Sequence, residues 1–220
     1  SSTMPKPTSA ADPTPIRVAL ITLDNHMAGA VERARPALQK EIPGLELSYH
    51  AASDWNSNPT ALGRCRERIA QADIIVVTML FMEEHIEPVL ADLQSRRDDS
   101  DAVVVIMSAG EVMKLTRMGK FTMDGSSRGP MSLLKKLRGQ KKNKQGDEGN
   151  SGEKQAAMLR RIPRLLRFIP GTAQDVRAYF LTWLYFLASS DENVTNMVRY
   201  LVNRYADGPR HKLRGSLQVE

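Results

Sequence analysis

The chain has 220 residues, 41% of them apolar and 25% charged, with a net charge of +6. That supplies a sizeable core for one domain, or one domain with a helical appendage, and excludes a fibrous or wholly disordered chain. A single cysteine, Cys65, excludes a disulfide framework and favours a cytoplasmic setting.

Residues 1–15 hold four prolines and no periodic apolar pattern, so a disordered leader is expected there rather than a signal peptide. Ser1-Ser2-Thr3 ahead of Met4 reads as a vector-derived remnant. Val18 to Leu23 is a continuous apolar run, the mark of a strand covered on both faces. Val31, Ala34 and Leu38 then recur at helical spacing until Pro43-Gly44. Leu45 to Ala51 alternates and predicts a strand nearer an edge. Pro59 to Ala72 carries Leu62, Cys65, Ile69 and Ala72 at steps of three or four, with Pro59 suited to a first helical turn. On that helix Cys65 reads as a buried thiol, since no activating partner can be identified.

Ile74 to Leu80 predicts another buried strand, Glu83 to Arg97 a helix, and Ala102 to Met107 a fourth strand. Strands alternating with amphipathic helices imply right-handed crossovers and a doubly wound, mainly parallel four-stranded sheet, Rossmann-like or flavodoxin-like. The expected order sets the second strand outside the first, and the third and fourth on its other side. After Phe121 the alternation stops. A short helix over Pro130 to Leu137 completes an α/β domain of residues 16–137, and a flexible polar loop follows at 138–152. Helical patterns at Glu153 to Phe168, Thr172 to Ala188 and Glu192 to Tyr205 form a helical C-terminal part, 153–206, packed on the α/β domain. Residues 207–220 are expected as a tail at a truncation boundary.

The excess charge is local: Lys135 to Arg167 holds eleven basic and three acidic residues. Such a segment can meet phosphates or anionic lipid, but Gly139 to Gly152 has no apolar residue, which favours a solvated loop. Ala178 to Ala188 holds five of the twelve aromatics. It is too short to span a bilayer, which needs ~20 apolar residues, and is expected inside a core.

With the expected sheet order, Asp24-Asn25-His26, Met82-Glu83-Glu84-His85 and Ser108-Ala109-Gly110-Glu111 converge at the carboxyl ends of the first, third and fourth strands. Asp24, His26, Glu84, His85, Ser108 and Glu111 are the candidate residues of this rim. Imidazole with carboxylate can bind a divalent metal or move protons. The same residues near helix starts serve as caps or contacts to another domain, and that role is favoured over catalysis. Nucleotide chemistry is disfavoured, because Leu23 to Gly29 lacks Gly-x-Gly-x-x-Gly and no phosphate-cradling loop occurs, and a hydrolase is disfavoured because no Gly-x-Ser-x-Gly nucleophile turn occurs.

Ser108 to Phe121, Thr22-Leu-Asp-Asn-His26 and Thr78-Met-Leu-Phe-Met-Glu-Glu-His85 together resemble the N-terminal region of the porphyrin-binding H subunit of magnesium chelatase, from about Arg17 to Tyr205. Phe121-Thr-Met, Gly129-Pro130-Met131 and the segment around Tyr179 fit the same region. The resemblance implies an enzyme, a ligase forming nitrogen–metal bonds, that inserts Mg²⁺ into protoporphyrin IX for chlorophyll or bacteriochlorophyll. It also implies ATP hydrolysis on two partner motor subunits, and a location in the cytoplasm or plastid stroma. The implied partners are the remainder of the H subunit, the motor subunits and protoporphyrin IX, with no nucleic acid and no transmembrane segment. No catalytic residue or metal ligand is carried over, and no cofactor is expected on this part of the protein, which is not expected to be catalytic alone. The alternatives are the related cobalt chelatase large subunit, or a non-catalytic scaffolding or sensory module.

Overall fold

A computed structural model describes residues 12–124 and 172–215. The helices expected at 130–137 and 153–168 and the polar loop 138–152 lie outside the described residues. The fold is α/β: β1 (Ile16–Thr22), α1 (Ala28–Glu41), β2 (Leu45–Ala51), α2 (Pro59–Gln71), β3 (Ile74–Thr78), α3 (Glu83–Arg96), β4 (Ala102–Ile106), a one-turn α4 (Gly110–Met113), β5 (Arg117–Met118) and β6 (Phe121–Thr122). Two longer helices follow, α5 (Thr172–Leu187) and α6 (Asp191–Tyr205). The strands form one sheet in the order β2-β1-β3-β4-β5-β6, parallel through β4 and antiparallel beyond.

The order of the four parallel strands is the one their sequence predicts, but the sheet has six strands rather than four. The extra pair is a hairpin of two-residue strands, too short to show an alternating pattern. Its signal is Gly119, whose φ of +60° at the first central position of a two-residue turn is the type II′ signature. β3 and β4 also end sooner than their apolar runs suggest. Met79 (φ 57°) and Met107 (φ 47°) turn left-handed directly after Thr78 and Ile106, which breaks the extended backbone at residues that give no compositional warning.

Successive residues of β1, β3 and β4 enter opposite cores. Val18, Leu20, Ile74, Val76, Val104 and Ile106 face α1, α5 and α6, while Ala19, Ile21, Ile75, Val77, Val103 and Val105 face α2, α3 and α4. Cys65 is buried in the second core, and burial pushes its thiol up to about 12, so it is an inert packing group. β4 pairs with β5 only at Ala102 and Val103. Beyond that point side chains satisfy its open edge: Thr116 Oγ1 accepts from the Val105 amide at 3.2 Å, and Tyr179 Oη donates to the Val105 carbonyl at 2.8 Å. Tyr179 also stacks edge-on against Phe121, Phe180 and Trp183. The aromatic run is therefore core, as expected, with Leu187 exposed at its end.

Polar contacts lock the helices in place. Arg33 pairs with Asp191 at 2.8 Å and Arg199 pairs with Glu41, so α1 and α6 run in the same direction. Buried Asp175 of α5 accepts from Tyr205 Oη (2.8 Å), Arg204 (3.2 Å) and the Lys120 amide (3.1 Å), tying both helices to the β5–β6 turn. No core pattern follows Asp207 in the sequence, yet Gly208–Leu213 forms a 3-10 helix with Leu213 buried. Charge holds it: Arg210 makes two bonds to Asp101, at 2.8 and 2.9 Å, and lies 3.4 Å from Asp73. Among the described residues no helix is long and apolar enough to cross a membrane.

A Cβ on Gly119 would stand 2.6 Å from the Asp175 carboxylate, and the positive φ already disfavours a side chain. Gly119→Ala is expected to lower stability by about 2 to 3 kcal/mol in denaturant unfolding. Gly110→Ala, where nothing lies within 4 Å, is expected to be neutral or mildly stabilising.

Buried His50 of β2 supplies a pH signature. Burial, with the Arg64 and Arg68 charges adding to it, lowers its pKa from 6.5 to about 4. Below pH 6.5 the unfolded chain takes up a proton that the folded chain refuses, so stability present above 6.5 is lost as pH falls toward 4. The expected loss between pH 6.5 and 5 is about 2 kcal/mol, and His50→Gln should flatten that segment of a stability-against-pH curve.

Candidate functional site

Because β1, β3 and β4 are parallel neighbours, the three loops singled out in the sequence do leave the same edge of the sheet. In parallel α/β sheets this carboxyl edge is where ligands and partners meet the fold. The ends of β1 and β3 are tied by a buried bond of 2.8 Å from Thr78 Oγ1 to Thr22 Oγ1. Past Met79 and Met107 the two loops stay joined. The Met79 amide donates to the Met107 carbonyl and the Ala109 amide to the Leu80 carbonyl, both at 2.9 Å. Ser108 works inside this junction: its Oγ accepts from the Leu80 amide at 3.1 Å and donates to the Ile106 carbonyl at 3.2 Å. It is a loop brace rather than a nucleophile.

The first loop is built by Tyr49, which sequence reasoning passed over. At the end of β2, its hydroxyl donates to the Asp24 carbonyl at 2.5 Å and accepts from the Met27 amide at 3.2 Å, and burial pushes it up to about 12. Asp24 accepts from the His26 amide at 3.1 Å and from His26 Nδ1 at 2.5 Å. These bonds hold its carboxyl below the usual carboxylate range, the backbone bond first and the ring second. In this dyad His26 Nδ1 is the donor and the Asp24 carboxylate the acceptor. Its ring meets Phe186 of α5 edge-on at 5.7 Å, so α5 reaches the rim as well. Asn25 bonds to Asp54 beyond β2 at 3.3 Å. Tyr49 at the close of an alternating strand and Phe186 in the aromatic run were the available signals.

The second loop is different in character. Phe81 and Met82 are 58% and 51% exposed, large apolar side chains held out at the start of α3. Glu83 and Glu84 follow in its first turn, where carboxylates complement the helix dipole. His85 is half-buried, and its Nδ1 is shielded from solvent without a hydrogen-bond partner among the described residues. Glu111, in the first turn of α4, is exposed. Among the described residues no three His, Cys, Asp or Glu side chains gather closely enough to hold a metal ion. The rim thus brings the Asp24–His26 dyad, the Ser108 brace and an apolar step flanked by acids to one edge. What this arrangement supports is contact: apolar area to bury, carboxylates around it, and braced loops beneath.

Comparison with known proteins places this geometry in a family. Residues 17–180 match the family described as "Domain of unknown function (DUF3479)". The chain is 48% identical over 204 residues to the magnesium-chelatase H subunit of Cereibacter sphaeroides, across 92% of this chain and 17% of that protein. It is 44% identical over 207 residues to the magnesium-chelatase H subunit of Rhodobacter capsulatus, across 94% of this chain and again 17% of the relative. The chloroplastic magnesium-chelatase subunit ChlH of Oryza sativa subsp. indica is 27% identical over 196 residues, 86% of this chain and 14% of its own length. The chain therefore spans less than a fifth of the relatives it matches. The family match runs from the start of β1 through all six strands and into α5 as far as Phe180, so the chain belongs to the DUF3479 family.

Proposed function

We propose that this chain is the amino-terminal domain of the H subunit of a magnesium chelatase, and that it acts as a docking domain rather than as the seat of chemistry. The observation that carries the reading is the 48% identity to a magnesium-chelatase H subunit across 92% of the chain, rim loops included. In this reading the whole enzyme is a ligase that inserts Mg²⁺ into protoporphyrin IX on the way to chlorophyll or bacteriochlorophyll. ATP is hydrolysed on two partner subunits, in the cytoplasm or plastid stroma. Porphyrin, Mg²⁺ and ATP are then substrates of the assembly, and this domain holds none of them as a resident cofactor. The sheet is a doubly wound, flavodoxin-like scaffold whose carboxyl edge meets the remainder of the H subunit. The exposed Phe81 and Met82, set among carboxylates, have the composition of such a contact.

Two measurements test this. Mixed with the motor subunits, ATP, Mg²⁺ and protoporphyrin IX, residues 1–220 alone are expected to yield no Mg-protoporphyrin in a fluorescence assay. Steady turnover would overturn the division of labour. In the full-length protein, His85→Ala is expected to cut chelatase activity severalfold, while thermal unfolding of residues 1–220 changes by no more than about 0.5 kcal/mol. A heavily destabilised domain, with activity falling only in proportion to the folded fraction, would make His85 a packing residue.

A further inference from the structure

A second surface borders the first rim loop through Tyr49 and runs along the outer edge of β2. There α1, β2 and α2 enclose an open groove of about 290 Å³, lined by Glu32 and Arg35, by Ser48, Tyr49 and His50, and by Arg64 and Arg68. Its size is near the lower bound of small-molecule sites, ~300 Å³. Arg64 and Arg68 are one helical turn apart and so share the face of α2 that borders the groove.

The charges are unequally committed. Arg35 is held by Glu32 at 2.8 Å and by the Leu47 carbonyl at 2.5 Å. Arg68 reaches Glu46 at 3.1 Å, a carboxylate that Arg17 also holds, at 2.8 Å. Arg64 has no ion pair or hydrogen bond among the described residues. The groove lining thus sets three guanidinium groups against one carboxylate, Glu32, with Glu46 shared by Arg68 and Arg17 at its margin, around an imidazole whose Nε2 lies 2.9 Å from Ser48 Oγ. Burial chiefly lowers the proton affinity of His50, and the Arg64 and Arg68 charges add to it, as their position beside this floor requires.

We propose that this groove binds a small anionic ligand carrying two or more carboxylate or phosphate groups, with Arg64 and Arg68 as its principal contacts. A peptide adding as a further strand is disfavoured, because Arg35 and Gln39 already occupy the outward carbonyls of Leu47 and Leu45. Guanidinium groups suit oxyanions through paired, directional N–H donors. A bound anion would neutralise the field at His50 and let its ring take a proton more readily.

The test is NMR titration of the 220-residue protein with citrate, pyrophosphate and inorganic phosphate, against sodium chloride at matched ionic strength. Saturable shifts confined to α1, β2 and α2 are expected with citrate or pyrophosphate, and the His50 apparent pKa should rise by about one unit at saturation. Arg64→Ala, an exposed substitution whose folding is checked by thermal unfolding, should weaken binding about fivefold or more. The better of citrate and pyrophosphate assigns carboxylate or phosphate chemistry. Unsaturable shifts matching sodium chloride, shifts elsewhere, or unchanged affinity in Arg64→Ala would overturn the proposal. So would binding of an acidic peptide while all three small anions stay silent. None of these outcomes depends on whether the longer protein is a magnesium chelatase component.

Discussion

A parallel sheet of this kind has no face to give to water, and that constraint organises the whole molecule. Every residue of β3 and of β4 is buried, so each face needs its own cover. The helices between the strands supply one cover completely, α2, α3 and α4 lying over Ile75, Val77, Val103 and Val105. On the other face α1 is the only crossover helix among the described residues, and it reaches β1 and β2 but leaves β4 and the hairpin open. α5 and α6, from far along the chain, close that gap. Each large aliphatic side chain so buried is worth roughly 1.5 to 3 kcal/mol, which makes the late helices integral to the sheet.

The polar contacts decide where those helices come to rest. Tyr179 places α5 over β4 by meeting a strand carbonyl that the short β5 leaves open. Asp175 then fixes the rotation of α5, since its carboxylate must face both the β5–β6 turn and Tyr205 of α6. Burial, with the Asp175 charge next, pushes the Tyr205 phenol up, which keeps it a donor to Asp175 at any ordinary pH. One consequence runs to the rim: an α5 set in this way ends with Phe186 against the His26 ring.

The parallel strands, their order and the convergence of the three loops were legible because buried strands and amphipathic helices leave periodic traces. The β5–β6 hairpin was not, since four residues cannot display a period. Nor were the ends of β3 and β4, because methionine at a left-handed turn looks like one more apolar residue. Asp175 and Arg210 carry no periodic or motif signal, and only long-range geometry makes them clasps. Within the rim, the residue types were recognisable but their duties were not. Ser108 braces two loops, and Asp24 holds a turn together with its histidine, through backbone partners that no spacing rule identifies.

These assignments bear on what the rim can be. A catalytic edge usually leaves its reactive groups turned toward an open cleft, with donors free for a substrate. Here Ser108 spends its proton and one lone pair on backbone bonds, Asp24 is engaged by His26, and the exposed groups include Phe81, Met82, the flanking glutamates and Glu111. Phe81 and Met82 gain little by standing in water and much by being covered, while the glutamates beside them stay hydrated at the margin. The left-handed turns at Met79 and Met107 point the same way, since strained backbone of this type costs roughly 1 to 3 kcal/mol and persists where surrounding structure imposes it. Here a pair of amide bonds and the Ser108 brace hold the strained turns, fixing the direction in which Phe81 and Met82 leave the sheet. A rigidly presented apolar step suits the docking role proposed above, because little conformational freedom remains to be lost when it is covered.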